Sequence, residues 1–163
     1  MAFQLRSLQN SDHSLVKGIY QNSLIMLHIG CVLSDQQVES MFDTMLIGIA
    51  NKKSVYQVIT TDEQSVAGLL SMHWHAENQT VVSGMIVLPE FQNQGVCKWA
   101  QFAAMKMIKH HFPVKVCTVY ISADNVAAST SYKNMGFVAV ANKSKNKNNL
   151  NLIRWDFNLE LMD

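Results

Sequence analysis

Charge is scarce and evenly balanced in this sequence. Among 163 residues, Lys and Arg number 13 and Asp and Glu 12, a net charge of +1 with the histidines neutral. That balance gives no electrostatic case for nucleic acid or an acidic membrane as partner, and any basic patch has to be local. Cysteine is also scarce. Cys31, Cys97 and Cys117 share no zinc-ligand spacing, and an odd number argues against a disulfide framework. A reducing cytoplasmic setting and no bound metal are expected. No run of about 18 uncharged apolar residues occurs, and residues 1–6 lack the apolar core of a secretion signal, so no membrane partner is expected. No internal repeat is present.

What remains is an ordinary globular composition, 48% hydrophobic and 15% charged. At 163 residues the chain fits one domain, residues 1–163, able to bury a core without disulfide or metal staples. Ten methionines and an apolar stretch at 28–33 exceed what one small domain needs inside, which predicts a homodimer.

Periodicity divides the chain. Residues 3–8 alternate as an opening strand. Leu15, Val16, Ile19, Tyr20, Ser23, Met26 and Leu27 recur at helical spacing. Ser34 and Gln37 form a capping box ahead of a second helix carrying Val38, Met41, Phe42, Met45, Leu46 and Ile49. Strands follow at 55–60, 66–75 and 81–88, joined by polar turns. A helix over 96–110 stops before Pro113. A strand at 114–122 leads to a helix at 125–135, with Gly136 in the C′ position. Segments 137–141 and 150–161 close the chain as a hairpin, and the Lys/Asn run at 142–149 reads as its solvated loop.

Two segments carry chemistry. The run 81–88 ends at Pro89, as a strand leaving a sheet does. Residues 92–97 then offer successive backbone N–H groups at a helix start, with small residues at Gly95 and Cys97. Unpaired amides and the helix dipole make such a loop a phosphate cradle, although cradles of this kind occur in many folds. The second segment runs from Asn125 to Phe137. Gln92, Gly95 and Cys97 fill the pattern Gln/Arg-x-x-Gly-x-Gly/Ala, while Asn125, Ala128, Tyr132, Gly136 and Phe137 fill Asn-x-x-Ala-x-x-x-Tyr-x-x-x-Gly-Phe. On these motifs the chain resembles the GNAT-type N-acetyltransferases, and with their connecting elements they cover residues 81–137.

The resemblance implies an α/β fold (α+β by some schemes). It implies a mixed, mostly antiparallel sheet of six to seven strands, flanked by four helices in the order β-α-α-β-β-β-α-β-α-β-β. It also implies acetyl transfer from acetyl-CoA to a primary amine of a small molecule or peptide, by direct attack. The pantetheine arm would pair with backbone near Met85, Ile86 and Val87. The pyrophosphate would lie on Gln92, Asn93, Gln94, Gly95, Val96 and Cys97, with Lys98 adding charge. Asn125 and Ser129 would face the cofactor, and Tyr132 would protonate the departing thiolate. A core tyrosine with a satisfied hydroxyl is the plain alternative for Tyr132.

Three departures stand out. Gln92 brings no charge. Cys97 is larger than the family's Gly/Ala, and a helix N-terminus is expected to lower its thiol pKa, with packing its expected role. The fourth strand carries no carboxylate at 81–85, so the base is open among His28, His73 and His75. The last two flank Trp74 on one strand face and lack a third metal ligand. The missing carboxylate and uncharged Gln92 leave an alternative function, a non-catalytic acyl-CoA-binding sensor. Amine-dependent thiol release separates the two.

Overall fold

The computed structural model describes residues 2–147 and 150–162. Its strands are β1 (Phe3–Ser7), β2 (Ser54–Thr61), β3 (Val66–His75), β4 (Thr80–Val87), β5 (Val116–Ser122), β6 (Val138–Lys147) and β7 (Leu150–Asn158). The helices are α1 (His13–Tyr20), α2 (Ser23–Met26), α3 (Asp35–Ala50), α4 (Val96–His111) and α5 (Val126–Asn134). The strands form one sheet in the order β1-β2-β3-β4-β5-β7-β6. Every neighbouring pair is antiparallel except β4 with β5.

Side chains alternate across this sheet with period two. Ile59, Leu70 and Met72 pack with Ala100, Ala104, Met105 and Ile108 of α4. Their chain neighbours Val58 and Leu69 face the opposite layer, with Val16 and Ile19 of α1 and Val38, Phe42 and Met45 of α3. All are buried, and burying one such side chain stabilises by about 1.5–3 kcal/mol. The expected capping box opens α3: Gln37 N–H donates to Ser34 Oγ at 3.3 Å, and Ser34 N–H to Gln37 Oε1 at 2.9 Å. Gly136 follows α5 at φ 96°, the left-handed C′ position.

Two local expectations are corrected. The helix expected through residues 15–27 is two helices, because Asn22 caps a new one. Its Oδ1 accepts from Leu24 N–H at 3.0 Å and Ile25 N–H at 3.3 Å, competing with the helical ladder. Four expected helices thus become five. The polar run, expected as a loop, is strand as far as Lys147. Backbone pairing to β7 (Ser144 opposite Ile153, Lys147 opposite Leu150) does not need apolar side chains. Residues 148 and 149 of that run lie outside the described residues. The last strand stops at Asn158, whose Oδ1 accepts from Glu160 N–H at 3.0 Å.

The parallel β4–β5 ladder positions the site. It joins 80–83 to 116–119 and ends at the pair Ser83–Val119. Beyond it, Gly84, Met85, Ile86 and Val87 pair only with β3, while Tyr120, Ile121 and Ser122 pair only with β7. The strands splay, and one edge of β4 is left open.

Candidate active site

A cavity of about 220 Å³ occupies the splay, lined among others by Ser83, Met85, Ile86, Asn125, Tyr132 and His28. Among the described residues, none lining it is Asp, Glu, Lys or Arg. Tyr20 also lines it. Burial, with the nearby Tyr56, pushes the Tyr20 phenol up to about 12, so that wall is uncharged.

Immediately after β4, the chain turns through Pro89–Phe91 into the loop before α4. Two glutamines tie this loop to itself: Gln92 Nε2 donates to Val87 O at 3.2 Å, and Gln94 Nε2 to Glu90 O at 2.8 Å. Asn93 and Gly95 take left-handed backbone, φ 60° and 79°, a geometry that gathers amides into an anion-binding nest. Gly95 is the N-cap of the 16-residue α4, and a Cβ built there meets nothing within 4 Å. The cradle is open, its amides sit at the positive end of a long helix, and it fits a diphosphate. Val96 is buried, anchoring the first turn, and Lys98 is exposed.

The expected lowering of the Cys97 thiol pKa is corrected. Burial raises it and outweighs the lowering from hydrogen bonds with Ser131 and Tyr132. Taking a thiolate out of water disfavours the charged form.

On α5 the predicted face is only partly shared. Asn125, Ala128 and Tyr132 line the cavity. Asn125 Oδ1 caps the helix by accepting from Ala128 N–H at 3.1 Å. Ser129 is not among the lining residues, and its hydroxyl donates to Asn125 O at 3.0 Å within the helix.

Tyr132 is 6% exposed, and its hydroxyl donates to Gln101 Oε1 at 3.3 Å. Burial, first, and the neighbouring Cys97 and Cys117 raise its pKa well above 10.0. The phenol is therefore protonated throughout the working pH range.

The three histidines separate cleanly. His73 is engaged at both nitrogens, Nδ1 with Ser54 Oγ at 2.9 Å and Nε2 with Tyr56 Oη at 3.4 Å. Burial and then His75 lower its pKa. His75 lies 3.6 Å from Glu77, and neither histidine lines the cavity. His28 does, from the segment after α2, and its Nδ1 lies 3.4 Å from Asp124 Oδ1. At that separation the contact with Asp124 is long, and the buried Nδ1 has no closer hydrogen-bond partner. Asp124 is held low mainly by the Ser122 hydroxyl, with His28 a smaller cause.

Sequence reasoning passed over Gln101, Ser83 and Asp124. A glutamine between Ala100 and Phe102 in a helix reads as part of its solvent face. Asp124 meets His28 only through the fold.

With this geometry in place, the chain matches the acetyltransferase (GNAT) domain over residues 3–138. It belongs to that family, whose members move an acetyl group from acetyl-CoA to an amine. No curated protein sequence matches it. Spermidine N-acetyltransferase from Vibrio cholerae, solved with CoA and spermine, superposes with a TM-score of 0.84. Identity is 15%, over 97% of this chain and 96% of that one. Ribosomal L7/L12 alpha-N-protein acetyltransferase, solved with coenzyme A, gives a TM-score of 0.83 at 14% identity, covering 97% and 94%. The Salmonella typhimurium enzyme that modifies the N-terminal serine of L7/L12 gives 0.82 at 13%, covering 97% and 95%. At these identities the likeness establishes the fold.

Proposed function

We propose that this protein acetylates a primary amine inside the β4–β5 splay, with Tyr132 serving the leaving thiolate and His28 receiving the amine's proton. The observation that carries this reading is the shared cavity. The unpaired edge of β4, the Tyr132 wall and the His28 wall all open onto it. Acetyl-CoA supplies a thioester carbonyl and a thiolate leaving group. Backbone groups of Met85, Ile86 and Val87 bind the pantetheine arm as an added strand would. Amides of residues 93–97 hold the pyrophosphate, Gln92 and Gln94 stiffen that loop, and Lys98 adds charge at its rim. Asn125 borders the arm, with Ser129 behind it.

Tyr132 meets the sulfur as a protonated phenol. Positioned acids of this kind contribute about 10²–10⁴-fold. His28 accepts a proton from the attacking amine, because amines attack only when neutral.

The acceptor is an amine on a neutral or apolar body. The V. cholerae relative was solved with spermine, but a second ammonium inside the cavity would find no carboxylate among its lining residues, Asp124 standing outside them beside His28. The N-terminal amine of a peptide fits better. The protein works in the cytoplasm, a reading supported by the free thiols of Cys31, Cys97 and Cys117. Among the described residues no helix is long and apolar enough to cross a membrane. It works as a homodimer at least, joined through exposed apolar residues such as Leu24, Leu27 and Ile47. A V. cholerae relative of TM-score 0.76 is dodecameric. Light scattering at micromolar concentration reads this, and a monomer removes it.

Thiol release from acetyl-CoA with seryl peptides, aryl-alkyl amines and spermidine tests the function. Amine-dependent release, fastest with a peptide or apolar amine, is expected. CoA binding without transfer to any of them overturns it.

A further inference from the structure

Gln101 sits in the middle of α4 with 0% exposure, beside Ala100 and Ala104 in the apolar layer over the sheet. A buried carboxamide is tolerated only when its polar atoms are matched, and here both ends are. Its Oε1 accepts from Ser83 Oγ at 3.1 Å and from Tyr132 Oη at 3.3 Å, and its Nε2 donates to Cys117 Sγ at 3.5 Å. Through this one side chain α4 grips β4, α5 and β5. The grip lies at the last β4–β5 register pair, Ser83 with Val119, where the splay begins. Ser83 and Tyr132 line the cavity; Gln101 stands behind them.

We infer that Gln101 is a positioning residue: it fixes the Tyr132 hydroxyl at the apex of the cleft and holds its proton until the thiolate forms. This rests on the reading of Tyr132 as the thiolate's donor. Two acceptors compete for that proton, Gln101 Oε1 and the neighbouring Cys97 sulfur. A carbonyl oxygen is the stronger one, because thiol sulfur accepts weakly. Parked on a neutral carbonyl, the proton can still be released. A hydrogen bond to a charged thiolate is about twice as strong as a neutral one, so charge on the sulfur turns the hydroxyl towards it. Collapse of the tetrahedral adduct breaks the C–S bond and leaves its electron pair on sulfur; the Tyr132 O–H bond then breaks as the S–H bond forms, and the phenolate regains a proton from solvent once the products leave.

The test is a double-mutant cycle of Gln101→Met and Tyr132→Phe in the full chain, with acetyl-CoA and a peptide bearing a free N-terminal serine. Methionine keeps the volume and removes the acceptor. A misplacement of about 1 Å can cost about 10²-fold, so Gln101→Met should lower kcat about 10- to 100-fold. The KM for acetyl-CoA should stay within about twofold, since its contacts lie elsewhere. In the Tyr132→Phe background the same change should add almost nothing. A folded Gln101→Met enzyme with the parent kcat, or losses that multiply across the cycle, overturns the inference. If Tyr132→Phe itself keeps its activity, the Tyr132 reading falls, and this inference with it.

An arm that needs no acceptor uses ¹³Cζ-labelled tyrosine. The Tyr132 resonance should shift in Gln101→Met and stay put in a Gln94→Met control. An unmoved resonance contradicts the inference. Should Gln101→Met not fold, Gln101→Glu keeps the shape and an acceptor for both hydroxyls, and its carboxylate should hold the proton harder and lower kcat. A parent-like kcat there also overturns it.

Discussion

The two walls of the cleft are built in opposite ways. At the apex, Tyr132, Gln101, Ser83 and Cys117 are buried and joined by hydrogen bonds drawn from four elements. At the mouth, His28 and Asp124 have 33% and 70% of their side-chain surface exposed and approach no closer than 3.4 Å. In the proposed reading the apex is preorganised for a group that is always the same, the thioester sulfur, and the mouth is left for an acceptor to complete, which would put substrate choice there.

The largest expected effect strikes the apex. Tyr132→Phe removes the donor, keeps the ring against Phe137, and should lower kcat about 10²–10⁴-fold. Retention of more than about half the parent rate would make Tyr132 a packing residue and erase the contrast. The pH profile sharpens the point. A raised phenol pKa keeps the proton bound as pH rises, so Tyr132 should produce no alkaline limb in kcat up to the ordinary 10.0. A limb below that value that vanishes in Tyr132→Phe would contradict the buried setting.

Gly95→Glu comes next. The site has room for a side chain, so the fold should survive, at about 1–2 kcal/mol for left-handed backbone. A carboxylate in the cradle should weaken CoA binding about 100-fold by calorimetry, since like charges in contact cost several kcal/mol. Gly95→Ala carries the strain without the charge and separates the two causes.

Changes at the mouth should be smaller and fall on the acceptor. His28→Gln should lower kcat/KM for the amine about 10²-fold, the low end of what a positioned base contributes, and Asp124→Asn by less. Affinity for CoA should stay unchanged in both. A loss of CoA affinity in either variant would place His28 on the cofactor side.

Tyr132 at the apex and His28 at the mouth were legible, and the groups that hold them, Gln101, Ser83 and Asp124, were not. The Asn125–Phe137 pattern and the exit of β4 at Pro89 write their geometry into local spacing, so α5 and its Tyr132 fall where expected. The capping box at Ser34 is equally local. Illegible features arise where a particular contact, local or tertiary, overrides the pattern. Asn22 looks like one more polar residue in a helical run until its side chain takes two backbone donors. Cys97 sits at a helix start, yet its burial raises the thiol pKa and outweighs the hydrogen bonds that lower it. The residues after Ala141 look like loop, yet β7 supplies backbone partners.

The smallest effect is in thiol labelling. Cys31 is exposed, Cys97 half-buried with a raised pKa, and Cys117 buried with its thiol pushed up further. Iodoacetamide at neutral pH should modify them in that order, and bound CoA should change only the Cys97 rate. Cys97 reacting first would restore the expected activated thiol.

The most direct test of the account is a crystal structure with coenzyme A. It should show the pantetheine arm along the open edge of β4 and the sulfur within hydrogen-bond reach of the Tyr132 hydroxyl, with Gln101 still behind it. A sulfur lying outside the β4–β5 splay, or facing His28 with Tyr132 turned away, would contradict it.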